Sequence, residues 1–296
     1  MTKLWRAKTA LMFAFMTGLL VAIGLVAGYL LNNMWAGFWI MLALSIGINI
    51  YSYFGSKKMA LAANKVHLVT RDEEPRLYGI VESLAIRAGL PMPEVGVSEV
   101  PMPNAFATGR NPKNAAVVAT RPLLNLLDDD ELEGVMAHEM SHVKNRDILV
   151  MSVASTLASI IAFVTRMGVY SALFSGDNRN SGGLILMVLI DLTVPLAASL
   201  VQLGVSRSRE YLADESGGRL TGKPMALASA LHKLETGCSM SSNTYNNDAY
   251  NSVWISNPSG TRVKSLMSNL FRTHPSTDER IDKLRALDAE LNGTYY

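Results

Sequence analysis

Three residues near the middle of the chain have the types and spacing that metal-dependent hydrolysis requires. His138, Glu139 and His142 form the pattern His-Glu-x-x-His within the stretch 128–147. Residues four apart lie on one face of an α-helix, so the two imidazoles can bind a single ion. Glu139 lies about a sixth of a turn beyond them, where its carboxylate can take a proton from an attacking water without binding the ion. The pattern predicts a zinc-binding helix in which Glu139 is the candidate base.

The residues that precede this motif also favour a helix. Asp128 and Glu131 have the spacing of a capping box, with Asp in place of the usual Ser or Thr. The acidic run 128–131 suits the positive end of the helix dipole. The sequence therefore predicts that the motif helix begins near Asp128.

A second pair of acids lies further along the chain. Glu210 and Asp214 are four residues apart, so they share one face of a helix. They could be solvated acids close to Arg207 and Arg209. Alternatively, Glu210 could supply the third protein ligand that a two-histidine zinc site lacks, while Asp214 orients a ligand histidine. The chain has a single cysteine, which excludes a cysteine-based zinc knuckle.

The composition is that of a membrane protein. Hydrophobic residues make up 49% of the 296 residues and charged residues only 18%, and the mean hydropathy is positive. The net charge of +2 is too small to indicate a nucleic-acid partner. No glycine-rich phosphate loop occurs in the sequence. We therefore expect a lipid bilayer, and not nucleic acid, as a partner.

Four apolar runs predict four transmembrane helices. They cover residues 9–31, 34–54, 148–164 and 184–205. The third run is short and rich in Ser and Thr, so a buried core helix is the alternative there. Positive residues flank the outer ends of the first hairpin and none lies in its turn, which predicts that both ends are cytoplasmic. Two crossings between His138 and Glu210 keep these residues on the same side.

The sequence thus predicts a mainly α membrane protein with a cytoplasmic α+β domain that carries the candidate zinc site and contains a small β-sheet. An N-terminal transmembrane hairpin occupies residues 1–54, and a second hairpin occupies residues 148–205. This cytoplasmic domain is divided between residues 55–147, which carry the His-Glu-x-x-His helix, and residues 206–296, which carry the candidate glutamate ligand.

Several elements of the water-soluble part have local signals. Pro75 and Gly89 are typical of the start and stop of one helix. Short strands are predicted at 95–97, 104–108 and 115–120, the last two as a hairpin. Further helices are predicted at 223–235 and 276–291. The polar stretch 239–261 is interpreted as a surface loop, with a flap over a cleft as the alternative.

Two groups of residues resemble a known family. His-Glu-Met-Ser-His at 138–142 with Asn-Arg-Asp at 145–147, together with Glu-Tyr-Leu-Ala-Asp at 210–214, resemble HtpX-type membrane zinc metalloproteases. The relatives of that family include the CAAX prenyl endopeptidase. The resemblance extends to the N-terminal hairpin, to residues 104–109, and to His-Pro at 274–275 with Arg-Ile at 280–281. Ser276 departs from it, because a second proline is expected there.

The resemblance implies roles for the residues of both motifs. His138, His142 and Glu210 would bind one zinc ion per chain. Glu139 would be the catalytic base, and Asp214 would support the site.

The resemblance also implies a substrate cleft beside the zinc site. Asn104 and His274 become candidates for holding the peptide or its oxyanion, with His274 close to the chemistry. Ala105, Phe106 and Ala107 would form the strand onto which an extended substrate adds. Without the resemblance, His274 would be only an ordinary residue before a helix.

The resulting hypothesis is a membrane-anchored zinc endopeptidase of the cell (inner or plasma) membrane, with its active site facing the cytoplasm. Its substrates would be membrane proteins or their cytoplasmic segments. The family implies quality control of misfolded membrane proteins and a stress response. One alternative is a site-specific CAAX-type processing peptidase, although the chain is short for a chamber that holds lipid. Another is a non-enzymatic membrane scaffold with a structural zinc site, which would need a closed four-ligand shell.

Overall fold

The structure, a computed structural model, describes residues 2–30, 32–154, 207–241 and 275–293. Within these residues, helices predominate around one small mixed sheet. In chain order the elements are α1 (Thr2–Leu30), α2 (Met34–Ala63), β1 (Val66–Leu68), α3 (Pro75–Ala88), β2 (Glu94–Ser98), β3 (Ala105–Gly109), β4 (Ala115–Thr120), α4 (Arg121–Leu126), α5 (Asp129–Lys144), α6 (Arg207–Thr221), α7 (Pro224–Ser241) and α8 (Thr277–Asn292).

Helices α1 and α2 form the predicted N-terminal hairpin. Asn33 caps α2, because its side-chain oxygen accepts a hydrogen bond from the Ala36 amide at 3.1 Å. The helices approach so closely that a Cβ atom on Gly37 would lie 2.0 Å from the carbonyl oxygen of Gly24. A glycine at this crossing is therefore required for the close packing of the hairpin.

The outer surface of this hairpin is apolar. Trp35, Trp39 and Ile40 are each at least 60% exposed, as side chains that face lipid would be. In the described part of the chain, α2 is long and apolar enough to cross a membrane, and α1 contains the shorter apolar stretch Phe13–Ala22.

Helix α2 is longer than the predicted span, which stops at residue 54. It continues to Ala63, because residues 55–63 include no proline and are mostly good helix formers. Asn64 caps this end of the helix and is followed by Lys65, which has a positive φ of 49°. The additional turns carry the chain from the apolar hairpin directly to β1.

The sheet has the strand order β1-β2-β4-β3. Strands β3 and β4 pair antiparallel, with Phe106 opposite Val118, which confirms the predicted hairpin. Strand β4 pairs parallel with β2, and the three-residue strand β1, which was not predicted, pairs antiparallel with β2. Strand β3 therefore lies at one edge of the sheet.

The two faces of the sheet pack against different parts of the molecule, because side chains alternate along a strand. Ala105 and Ala107 of β3 belong to the main core, which also contains Leu132, Val135 and Met136 of α5. Full burial of one such Leu, Val or Met side chain contributes about 1.5–3 kcal/mol. This packing fixes the motif helix against the edge strand.

The helical segment 147–154 follows α5 after a two-residue turn. Its buried residues Leu149, Val150 and Val153 form a cluster with Met16 of α1. The beginning of the third apolar run therefore packs against the N-terminal hairpin. The remainder of the predicted second hairpin, residues 155–205, and the loop after residue 241 lie outside the described residues.

Candidate metal centre

Helix α5 begins as the sequence predicts. The Asp128 carboxylate accepts a hydrogen bond from the Glu131 amide at 2.9 Å, and Glu131 accepts one from the Asp128 amide at 3.0 Å. Glu131 also accepts hydrogen bonds at 2.7 Å from Ser229 and Lys233 of α7. Burial raises the pKa of Glu131, but these hydrogen bonds and the Lys233 charge outweigh it, so the pKa lies below its ordinary value. The start of the motif helix is thereby tied to α7.

Three buried side chains converge on one point between α5 and α6. The Nε2 atoms of His138 and His142 are 3.2 Å apart. The Glu210 carboxylate lies 3.7 Å from Nε2 of His138 and 3.5 Å from Nε2 of His142. One potential ligand atom from each residue lies within 4.8 Å of the others, and all three side chains are buried.

This arrangement fits a divalent metal ion. Two ligand atoms that each lie about 2.0–2.1 Å from a tetrahedral zinc ion are about 3.3 Å apart. The two Nε2 atoms are 3.2 Å apart, Oε2 of Glu210 lies 3.7 Å from His138, and Oε1 lies 3.5 Å from His142, so the two carboxylate oxygens and the two nitrogens surround one position at spacings close to that value. Two imidazoles and a carboxylate are also a typical donor set for catalytic zinc. We refer to His138, His142 and Glu210 as the metal centre.

Asp214 supports the first histidine of the metal centre. Its carboxylate lies 2.9 Å from Nδ1 of His138 and accepts two hydrogen bonds, of 2.6 and 2.7 Å, from Arg280 of α8. Burial raises the pKa of Asp214, but the charge and hydrogen bonds of Arg280 and the contact with His138 lower it below its ordinary value. Asp214 is therefore held as a carboxylate.

Asp147 has the same relation to the second histidine. Its Oδ2 atom lies 3.3 Å from Nδ1 of His142, and its Oδ1 atom pairs with Arg209 at the start of α6. Asp147 reaches His142 because the chain turns sharply after α5, where Arg146 has a positive φ of 60°. Each histidine of the metal centre is thus contacted by a carboxylate that is itself paired with an arginine.

Glu139 lies on the side of α5 that faces β3. Its buried carboxylate accepts a hydrogen bond from the backbone amide of Ala107. Burial raises the pKa of Glu139, the nearby histidines and the Ala107 amide oppose this, and the net pKa is raised. Glu139 therefore joins the metal centre to the edge strand.

A close helix crossing brings Glu210 and Asp214 to α5. A Cβ atom on Gly217 of α6 would lie 3.0 Å from the backbone nitrogen of His138 and 3.2 Å from the carbonyl carbon of Ala137. A larger residue would push the two helices apart. The glycine therefore lets α6 bring its two acids to the histidines.

The residues that were predicted to hold substrate do not all lie on the same side of the sheet. Asn104 is buried just before β3, and its carbonyl accepts a hydrogen bond from the Thr120 amide at 2.8 Å. Ala105 and Ala107 face the core that contains α5, whereas Phe106 packs on the opposite sheet face. His274 lies outside the described residues.

Sequence reasoning gave no role to Arg280, Asp147 or Arg209. The available signal for Arg280 was its position, since it shares the buried face of α8 with Leu284 and Leu287. An arginine in register with an apolar stripe needs a buried anion as a partner. Asp147 belongs to the Asn-Arg-Asp stretch that resembles the family, but its pairing with Arg209 had no signal, because it depends on how distant segments meet.

The chain is similar to known proteins over most of its length. The family model for peptidase family M48 matches residues 71–288. The chain is 42% identical over 290 residues to "Protease HtpX homolog" of Pyrococcus furiosus, which covers 97% of each chain. It is 45% identical over 268 residues to "Protease HtpX homolog" of Tropheryma whipplei, which covers 89% of each chain.

A solved structure has a similar fold. The crystal structure of S. mikatae Ste24p superimposes with a TM-score of 0.52 and 21% sequence identity, covering 96% of this chain and 67% of that chain. The relatives span most of the sequence, and the range of the family match includes the positions of the metal centre. The chain therefore belongs to peptidase family M48 and is a metalloprotease.

Proposed function

We propose that the protein is a membrane-anchored zinc endopeptidase that hydrolyses peptide bonds of membrane proteins or of their cytoplasmic segments. The observation that carries this proposal is the convergence of His138, His142 and Glu210 beside Glu139, at the edge of a sheet. Two histidines and one glutamate leave a coordination position for water or substrate. A structural site would need a fourth protein ligand.

The metal centre and Glu139 have separate tasks in this mechanism. A zinc ion held by His138, His142 and Glu210 would supply Lewis-acid chemistry, lowering the pKa of water to about 7 and polarising a carbonyl. Glu139 accepts the proton of the attacking water and returns it to the leaving amine.

Strand β3 offers a site for an extended substrate. The amides of Ala107 and Gly109 point away from β4, since they donate to Glu139 and to Ser152. A substrate strand that adds to residues 105–107 takes the Ala107 amide from Glu139 and therefore lies beside the catalytic base. Ser152 occupies the Gly109 amide at 3.3 Å, so the pairing ends before that residue.

The connection of the metal centre to the apolar N-terminal hairpin supports the choice of substrate. Asp147 contacts His142 and begins the segment 147–154, which packs against the N-terminal hairpin. The distribution of positive charge around that hairpin supports a cytoplasmic active site in a multi-pass protein. With the resemblance to HtpX-type proteases, these features lead us to propose misfolded membrane proteins as substrates and quality control as the role.

The test is hydrolysis of casein by the detergent-purified protein, before and after chelation and zinc return. Glu139→Gln should bind zinc like the unmodified protein and lose activity by about 10²- to 10⁴-fold, because it cannot accept the proton. Glu133→Gln is the matched control, since Glu133 lies on the same helix but pairs with Arg87. It should remain active.

Three outcomes separate the proposal from its alternatives. A fully active Glu139→Gln protein would refute the mechanism. If the unmodified protein bound zinc but cleaved neither casein nor a mixture of membrane proteins, the site would be structural. Cleavage of that mixture at one defined bond would indicate a site-specific processing peptidase.

A further inference from the structure

The two histidines of the metal centre have parallel surroundings. Nδ1 of His138 faces Asp214, which is paired with Arg280. Nδ1 of His142 faces Asp147, which is paired with Arg209. Sequence reasoning assigned a supporting role to Asp214 alone.

Asp147 is not an ordinary surface acid. Only 2% of its side chain is exposed, and a buried carboxylate is costly unless it is paired and hydrogen-bonded. Its two oxygens are directed to different partners, one to His142 and one to Arg209. The left-handed conformation of Arg146, which is unfavourable for a residue with a Cβ atom, directs the chain back toward His142.

The contact with Nδ1 has a chemical consequence for the opposite nitrogen. A carboxylate that accepts a proton from Nδ1 selects the tautomer whose Nε2 carries the free electron pair. Nε2 of His142 is the atom that faces His138 and Glu210. Asp147 thus holds the ring in the orientation and tautomer that a metal ion requires.

Arg209 connects this support to the third ligand. It lies directly before Glu210, on the first turn of α6, and its side chain is 19% exposed. Asp147 lies at the start of the segment that packs against the N-terminal hairpin. The Asp147–Arg209 pair therefore connects the segment that follows α5 to α6, the helix that carries Glu210.

We propose that Asp147 is a positioning residue of the metal centre, which fixes the Nε2 atom of His142, and that Arg209 acts through Asp147. This inference rests on the proposed zinc site. Carboxylates that hold ligand histidines contribute about 10- to 100-fold to metal affinity or activity in other sites, and we expect an effect of that size.

The experiment measures zinc affinity of the full-length, detergent-purified protein by competition with a chromogenic chelator. Asp147→Ala should weaken zinc binding by about 10- to 100-fold. Asp147→Asn should lose less, since its amide oxygen can still accept the Nδ1 proton. Glu133→Ala is the matched control, because it removes another arginine-paired acid of this region without touching a histidine of the metal centre.

A double-mutant cycle tests the role of Arg209. Arg209→Met should weaken zinc binding less than Asp147→Ala, and the double variant should bind zinc no worse than Asp147→Ala alone, because Arg209 acts through the aspartate. Additive losses would overturn that part of the inference. The absorption bands of the cobalt-substituted protein should change in Asp147→Ala and stay the same in Glu133→Ala.

The outcomes distinguish this inference from the proposed function. If the unmodified protein binds no stoichiometric zinc, the proposed function fails. If the unmodified protein binds zinc and Asp147→Ala binds it equally well, or if Asp147→Asn loses as much as Asp147→Ala, the positioning role fails alone. If Asp147→Ala does not fold, the test uses Asp147→Asn and Arg209→Met instead. The inference is overturned if both of these variants bind zinc as tightly as the unmodified protein.

Discussion

Arg280 is the residue whose removal should most clearly destabilise the folded protein. Its side chain is only 3% exposed, and it makes two hydrogen bonds to Asp214, which is 2% exposed. Arg280→Met keeps most of the side-chain volume but leaves Asp214 buried and without its arginine. Loss of one partner from a buried ion pair costs about 3–5 kcal/mol, and we expect that loss in the free energy of unfolding.

The assay is urea-induced unfolding of the detergent-purified protein, followed by circular dichroism at neutral pH in the presence of a chelator. Arg285→Met is the control on the same helix, because the Arg285–Asp282 pair is 55% and 72% exposed. It should change the free energy of unfolding by at most about 0.5 kcal/mol. A loss of less than about 1 kcal/mol in Arg280→Met, typical of a surface pair, would refute the assignment of Arg280 as the counter-charge of Asp214.

A double variant separates stability from metal binding. Asp214→Leu combined with Arg280→Met removes both charges, and replacement of a buried pair by apolar residues is often neutral for stability. The double variant should therefore be more stable than Arg280→Met. Its zinc affinity should nevertheless remain lower than that of the unmodified protein, because His138 has lost the carboxylate that holds its Nδ1 atom.

Three further predictions concern other contacts of α5. Ala107→Pro should fold, because the Ala107 amide does not pair with β4. It should lower kcat, because the hydrogen bond from this amide to Glu139 is lost. An unchanged kcat would contradict the role of this hydrogen bond. Gly217→Ala should lower the free energy of unfolding by about 1–3 kcal/mol and weaken zinc binding, because the added methyl group meets the backbone of α5. An unchanged free energy in urea unfolding would contradict this close contact. Because the pKa of Glu131 is lowered in the folded state, its contribution to stability is present above its unfolded pKa of about 4.3 and is lost as the pH falls through the folded pKa. In urea unfolding, the stability of Glu131→Gln should therefore depend less on acid pH than that of the unmodified protein. An unchanged pH dependence would exclude the contact between Glu131 and Lys233 as a source of the acid dependence.

Local signals allowed much of the fold to be predicted. The helix from Pro75 ends at Gly89, which has the left-handed conformation expected of a helix stop, and α5 has the full capping box of Asp128 and Glu131. These features depend on residues three or four apart, so they can be read from a sequence. Strand β1 could not be predicted, because three residues carry no periodicity and their stability comes from pairing with β2 about 30 residues away.

The sequence predicted the ligands of the candidate site but not all of the residues that support them. The residue types and spacing of the two motifs indicated His138, His142 and Glu210, and the structure brings these together. The arginines that hold the supporting carboxylates were not predicted, because the contact between Arg280 and Asp214 joins residues 66 apart in the chain. Charge pairs at such separations are determined by tertiary packing, which no local pattern encodes.

The long sequence separations in the metal centre also bear on how the protein is made. His138 lies beside Arg280, which follows it by 142 residues. During translation the histidines therefore emerge long before Glu210, Asp214 and Arg280 are available. The support of His138 cannot be complete in a nascent chain until residue 280 has been synthesised and α8 has docked. The distribution of these residues along the polypeptide thus delays the full support of the metal centre until the last helix has folded.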